Sequence, residues 1–290
     1  MDLGLAGQVA FVTGASGGIG WAIAEGLAAE GARLALHAHR QTESLAARVG
    51  RSRFSDRACV VAADVRQRET VEAAFAEARE RWGTIDICIV NAGIWEGASQ
   101  ALSEMSPQRI ERTLAVNLWG AIWTARAFLR QVPRRTPDDG GKGASLLFVG
   151  STAGRFGERG NADYAASKAA LYGLVRTLKN EIVERDPRGR VNMVEPGWTL
   201  TAMTREALAR PGAVEQTVAT MPLRRIAVAE DIARAVVFLA SPTAARHVTG
   251  EILTIAGGME GRRLWDAGAI DGEAIRRQLA ADDPTFSPES

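Results

Sequence analysis

Short, continuous apolar runs alternate along the chain with longer stretches in which apolar residues recur every three or four positions. The runs Val9–Thr13, Arg33–Ala38, Ala58–Ala63, Ile85–Val90, Ser145–Val149, Arg190–Val194 and Glu251–Ile255 read as seven strands. Helical periodicity spans Ile19–Ala29, Thr42–Val49, Val71–Trp82, Pro107–Gln131, Ala162–Glu184 and Asp231–Ala240. The strands do not alternate apolar with polar residues, which predicts a sheet covered on both faces. Regular strand–helix alternation predicts a parallel sheet with right-handed crossovers, and so one doubly wound α/β domain. In the strand order 3-2-1-4-5-6, Cys59 and Cys88 stand three strand spacings apart, roughly 14 Å, too far for a disulfide.

Three stretches break the pattern. Residues 132–144 (VPRRTPDDGGKGA) read as an exposed loop. Residues 198–225, interrupted by Pro211-Gly212, form an insertion expected to act as a lid. The core domain is expected to cover residues 1–259, with an extension over 260–290. That extension should hold one short helix capped by Asp271, with Ile275 and Leu279 on one face and a frayed end.

Composition adds mainly exclusions. A chain of 290 residues, 46% hydrophobic and 24% charged, is neither disordered nor dependent on disulfides. Lys and Arg number 35 against 34 acids, so no global field favours nucleic acid or a membrane surface as partner. Asp2 stands where a secretory signal needs positive charge, and no apolar run reaches membrane-spanning length. A cytoplasmic protein is the expectation. His37, His39 and His247 are scattered, so no metal site is expected.

The chemistry begins between the first strand and the first helix, at Thr13-Gly14-Ala15-Ser16-Gly17-Gly18-Ile19-Gly20. Glycines there allow a tight turn and let the backbone approach a pyrophosphate seated at the helix N-terminus. Tyr164 and Lys168 lie four residues apart on one helix face. A neighbouring ammonium is expected to lower the phenol's pKa and fit Tyr164 for proton exchange with an alcohol or carbonyl. Ser151 ends the fifth strand, thirteen residues before Tyr164. Both therefore open at the carboxyl edge of the sheet, where such folds bind ligands. Asn91-Ala92-Gly93 follows the fourth strand, and Asn117 lies inside the long helix, where asparagine is mildly unfavourable and hints at a local contact. Taken alone, each has a plainer reading: a glycine turn, a helix-surface pair, a serine cap.

Together these motifs resemble the short-chain dehydrogenase/reductase family, in its conventional single-domain, 3-oxoacyl-carrier-protein-reductase-like form. The glycines match T-G-x-x-x-G-x-G, and the N-A-G motif, helix asparagine, serine and Y-x-x-x-K follow in the family's order over roughly residues 6–259. The resemblance implies a Rossmann-type fold and hydride transfer between the B face of a nicotinamide and a ketone or secondary alcohol. It implies that Ser151 holds the substrate oxygen and Tyr164 is the acid/base. Lys168 would also bind the nicotinamide ribose, and Asn117 would support a water relay to it. By the same resemblance Asp64-Val65 contacts adenine, and Pro196-Gly197, Thr199 and Thr201 hold the carboxamide end. It further implies a homodimer or homotetramer built on helices 107–131 and 162–184, whose Ala165, Ala166, Ala169 and Ala170 permit close packing. Glu195 and Ala256 depart from the family's usual residues.

Cofactor choice is read at the end of the second strand, Leu36-His37-Ala38-His39-Arg40. An acid there selects NAD, and an arginine accommodates the 2′-phosphate of NADP. The acid position falls on Ala38, with no carboxylate before Glu43, so NADP(H) is expected over NAD(H), held by Arg40 and His39. Trp95 and Trp198 each follow a cofactor motif, which predicts a bulky, apolar or ring-shaped substrate. Two other readings stay open. A 3-oxoacyl-carrier-protein reductase would dock its acidic carrier on Arg126, Arg130 and Arg134, although a solvated helix face is the simpler account of that row. A silent dinucleotide sensor would have no need of Asn117, Ser151, Tyr164 and Lys168 together.

Overall fold

The computed structural model describes residues 2–259, 265 and 267–286. Seven parallel strands form the sheet: β1 (Val9–Val12), β2 (Arg33–Ala38), β3 (Ala58–Ala62), β4 (Ile87–Val90), β5 (Ser145–Val149), β6 (Arg190–Pro196) and β9 (Ile252–Ile255). Their order is β3-β2-β1-β4-β5-β6-β9, the doubly wound arrangement expected from the sequence. One row of the sheet runs Cys59, Ala35, Phe11, Cys88, which sets the two free cysteines three strands apart.

Alternation along each strand sends side chains to two cores. Ala10 and Val12 join one with α1 (Gly18–Ala29), α2 (Thr42–Gly50) and α10 (Ala229–Ala240). Val9 and Phe11 join the other with α3 (Arg68–Trp82), α5 (Gly120–Gln131) and α7 (Ala162–Glu181). Strands buried on both faces need no polar alternation, which explains their continuous apolar runs.

The structure corrects one local expectation and adds detail to the rest. The long helix 107–131 is not continuous: α4 (Pro107–Leu114) and α5 are joined by a π-helical segment, Ala115–Trp119, centred on Asn117. A short α6 (Thr152–Phe156) follows β5, too brief to show a period. The 198–225 insertion contains α8 (Arg205–Ala209) and α9 (Ala213–Val218). Its base is pinched shut by a parallel pair, β7 (Thr199–Leu200) and β8 (Ala227–Val228). Trp119 is half exposed and stacks on Trp123.

The extension is docked on the insertion. Asp271 caps α11 (Gly272–Asp282) by accepting from Ala274 N at 2.9 Å. Ile275 and Leu279 of α11 share a third core with Leu208, Val214 and Val218. Arg276–Glu215 at 2.6 Å and Arg205–Asp283 at 2.7 Å clasp the two segments at their rims. The terminal residues 287–290, expected to fray, lie outside the described residues.

Candidate active site

Beyond β1 the chain turns through Gly14 at φ +65°, and a Cβ on Gly20 would lie 2.3 Å from the Gly14 carbonyl oxygen. Only glycine lets the helix start so close to the turn. No side chain caps the N-terminus of α1 at Gly17, so its first amides face the cleft with their positive dipole end. The turn is held from beneath. Asn91 Nδ2 donates to Thr13 O at 2.9 Å and Gly14 O at 3.2 Å, while Thr13 Oγ1 accepts from Asn91 N at 2.9 Å and Ala92 N at 3.0 Å. Gly14 N donates to His37 Nδ1 at 3.2 Å, and His37 Nε2 meets Ala63 O at 3.0 Å. The proton therefore sits on Nε2, and burial lowers the imidazole's pKa and keeps it neutral. His37 also lines the cleft, and the hydrogen-bond partners that make it a strut come from segments 23 and 26 residues away.

A cleft of about 550 Å³ follows the carboxyl edge of the sheet. Ser16, Gly17, Gly18, Ile19, His39, Arg40, Asp64, Val65, Asn91, Ala92, Gly93, Pro196, Gly197, Thr199 and Thr201 all line it, with Tyr164 and Lys168 at one end. Thr13 does not reach it and acts from below. The other end carries a cation that the sequence reading passed over: Arg66 NH2 meets Asp64 Oδ2 at 2.5 Å. That bond holds the Asp64 carboxyl below its ordinary range, and His39 lies 3.7 Å away. Arg66 also lines the cleft, so the one acid there among the described residues is already neutralised.

Ser151 caps α6, accepting from Ala153 N at 3.2 Å, and its hydroxyl is beside that of Tyr164. Lys168, one turn further along α7, donates to Val149 O at 2.9 Å. A Cβ on Gly93 would lie 3.3 Å from Asn117 Oδ1 and 3.4 Å from Lys168 Nζ, so three separated motifs converge there. The π-segment gives Asn117 its reach, because the extra residue in that turn re-aims the side chain. The expected depression of the tyrosine pKa is overturned. Burial pushes Tyr164 up to about 12 and Lys168 down to about 8. The ammonium stands 5.8 Å from the phenol ring centre, where desolvation of both groups outweighs their attraction.

A smaller cavity of about 120 Å³ opens on the same Ser151 and Tyr164 and is walled by Trp95 and Trp198. Their rings meet edge to face, with centroids 6.0 Å apart. Thr204, not singled out by the sequence, lines both cavities and donates to Thr199 O at 2.5 Å. Beneath this region Arg109 and Asp163 form a buried pair at 3.1 Å. Burial raises the Asp163 carboxyl, but bonds from Arg109 and Thr113 outweigh it and hold the pKa low. Arg109 also donates to Ala98 O and Asn161 Oδ1, fixing both loops that flank Tyr164. The residues are 54 apart in sequence, and no motif announces them.

Glu195 is fully buried, bonded by the Tyr172 hydroxyl and by Thr254 Oγ1 at 3.0 Å, with Arg155 at 3.6 Å. It ties β6 to β9, α6 and α7 rather than entering the cleft. Arg126 pairs with Glu72 of α3 at 2.5 Å, which leaves the arginine row without its first free cation.

A phosphate-sized glycine turn, a cleft at the carboxyl edge and a Ser–Tyr–Lys trio define a dinucleotide-binding α/β protein with an acid–base site. Residues 14–260 match the family described as enoyl-(acyl carrier protein) reductase. The 3-oxoacyl-[acyl-carrier-protein] reductase of Vibrio cholerae is 34% identical over 89% of this chain and 99% of its own. L-Rhamnose 1-dehydrogenase (NAD(P)+) of a Sphingomonas species is 34% identical over 88% of this chain and 97% of its own. Among solved structures, a short-chain dehydrogenase/reductase of Brucella melitensis, titled glucose/ribitol dehydrogenase, superposes with a TM-score of 0.79 at 33% identity, covering 89% of this chain and 98% of that one. The chain belongs to the short-chain dehydrogenase/reductase family, oxidoreductases that act on carbonyl and alcohol groups with a nicotinamide dinucleotide.

Proposed function

We propose that this protein is an NADP(H)-dependent carbonyl reductase with Tyr164 as its proton donor. The observation that carries the reading is the convergence of Ser151, Tyr164, Lys168 and Asn117 where the long cleft meets the small cavity. The turn fits a dinucleotide: glycine at 20 lets α1 start against the Gly14 carbonyl, and the first amides of α1 are free of side-chain caps to meet a pyrophosphate. The bound nicotinamide would supply or accept the hydride. The chain's own residues do the rest. With its pKa near 12 the Tyr164 phenol is protonated at neutral pH, as a donor to a carbonyl oxygen must be. The Ser151 hydroxyl beside it orients that oxygen. Lys168, with a pKa near 8, can return a proton toward the phenol near working pH. Asn117 acts by fixing Ile94 and the N-A-G loop, a positioning role.

For the cofactor, Ala38 offers no acid, while Arg40 and Arg66 at the cleft can receive a 2′-phosphate, with His39 beside them. Trp95 and Trp198 favour a bulky or ring-shaped substrate under the 198–225 lid. A homodimer or homotetramer on segments 107–131 and 162–184 is supported by exposed Trp119 and exposed Ala166. A second reading, reduction of a 3-oxoacyl group on a carrier protein, is favoured by the Vibrio cholerae relative. Initial rates with NADPH and NADH on free ketones against an acyl-carrier thioester test both; inertness toward all of them would contradict the reading.

A further inference from the structure

The small cavity beside Ser151 and Tyr164 contains one group that carbonyl reduction does not use. Glu158, in the turn after α6, lines it together with Trp95 and Trp198. Its Oε1 accepts from Asn161 Nδ2 at 3.2 Å. The Trp95 indole is beside it, yet Trp95 Nε1 is buried without a partner of normal geometry. Burial pushes the Glu158 carboxyl up, and Asp163 pushes it the same way. Arg109, which bonds the loop just after Glu158, is engaged with Asp163. A half-buried carboxylate with spare lone pairs carries a desolvation cost that a hydrogen-bond donor would offset. Two orthogonal indole walls favour the body of such a ligand, and their faces attract a cation.

We propose that Glu158 is the specificity-determining residue of this site, and that it selects a carbonyl or alcohol substrate bearing a hydroxyl or ammonium donor, set on a compact ring that lies against Trp95 and Trp198, while rejecting substrates anionic at that position. The inference rests on the reductase reading above and deepens it. It also separates this site from one built for a plain alkyl chain, because a methylene row cannot satisfy the carboxylate. A donor-recognising site discriminates more steeply than an apolar one, since the unpaired polar group is left behind when the donor is missing.

The test uses four ketones of one skeleton: 4-methyl-, 4-hydroxy-, 4-amino- and 4-carboxycyclohexanone. Wild-type kcat/KM should favour the hydroxy and amino compounds over the methyl one by about tenfold or more, with the carboxylate lowest. Glu158→Gln should keep the hydroxyl preference and lose the amino one; Glu158→Leu should lose both and raise the methyl compound's share. Ratios within one variant cancel any general effect on Tyr164 or folding. Calorimetric affinities of the four for the NADP+-loaded protein should follow the same order. Similar efficiency for all four, or ratios unmoved in Glu158→Leu, would overturn this inference and leave the reductase reading standing. Neither turnover nor binding of any of the four would overturn this inference, and inertness toward other free ketones and the acyl-carrier thioester as well would remove the reductase reading with it.

Discussion

Asn117 grips Ile94 from both sides: its Oδ1 accepts from Ile94 N at 2.8 Å and its Nδ2 donates to Ile94 O at 3.0 Å. The same amide donates to Ser167 Oγ at 3.0 Å, so the N-A-G loop is tied to α7 one residue before Lys168. Asn117→Ala removes three bonds at a buried position and leaves Ile94 unpaired. Stability should fall by about 1–3 kcal/mol, and kcat should fall far more than cofactor affinity. Denaturation curves beside steady-state kinetics check this; unchanged kcat would show that the clamp does not position the site.

Lys168 gives a pH-dependent stability with a definite sign. Burial depresses its folded pKa to about 8, below the unfolded value of 10.5. Between those values the unfolded chain binds more protons, so stability rises with pH across that window, by roughly 3 kcal/mol at most. Lys168→Met should flatten the rise. Urea denaturation of both proteins at pH 7.5 and 10, without cofactor, measures the difference; parallel curves would contradict the assignment.

Arg40 and Arg66 share the cleft end near Asp64. Arg40→Ala should raise KM for NADPH several-fold or more and barely alter KM for NADH. Arg66→Ala should do the same and also release the Asp64 carboxylate, which then opposes the 2′-phosphate. Kinetics with both cofactors decide it, and a wild-type enzyme more efficient with NADH would refute the NADP(H) assignment.

The α11 clasp should control the stability of the 198–225 insertion. Leu279 is buried in the core that α11 shares with α8 and α9. Leu279→Ala leaves a cavity costing about 2–5 kcal/mol, taken locally from the insertion before the sheet. Amide exchange should quicken in α8 and α9 while β1 and β4 stay protected, and substrate KM should rise. Equal acceleration throughout would show one cooperative unit instead.

The strand order was legible because seven continuous apolar runs and their turn signals are properties of adjacent residues. The doubly wound row from Cys59 to Cys88 followed from it. Motif residues such as Gly14, Ser151 and Tyr164 were equally legible, since each sits at a strand end or helix start. What escaped depends on distance in sequence or on hydrogen-bond register. The π-segment at Asn117 leaves apolar spacing almost unchanged, so periodicity showed one helix. Arg109 and Asp163 pair across two helices, and Arg66 joins the cleft only because β3 lies beside β2. Glu158 reads as a solvated turn acid until the tryptophans are folded over it. The depressed tyrosine pKa failed for a physical reason: pairing was inferred from spacing, but burial, invisible in the sequence, dominated.

If Tyr164 donates the proton in carbonyl reduction, Tyr164→Phe removes that proton and little else. The variant keeps the ring and leaves the glycine turn untouched. Single-turnover reduction of the best ketone substrate by NADPH-loaded protein should slow by roughly 10²-fold or more, while NADPH affinity stays within about threefold of wild type. A near-normal single-turnover rate in Tyr164→Phe would contradict the account.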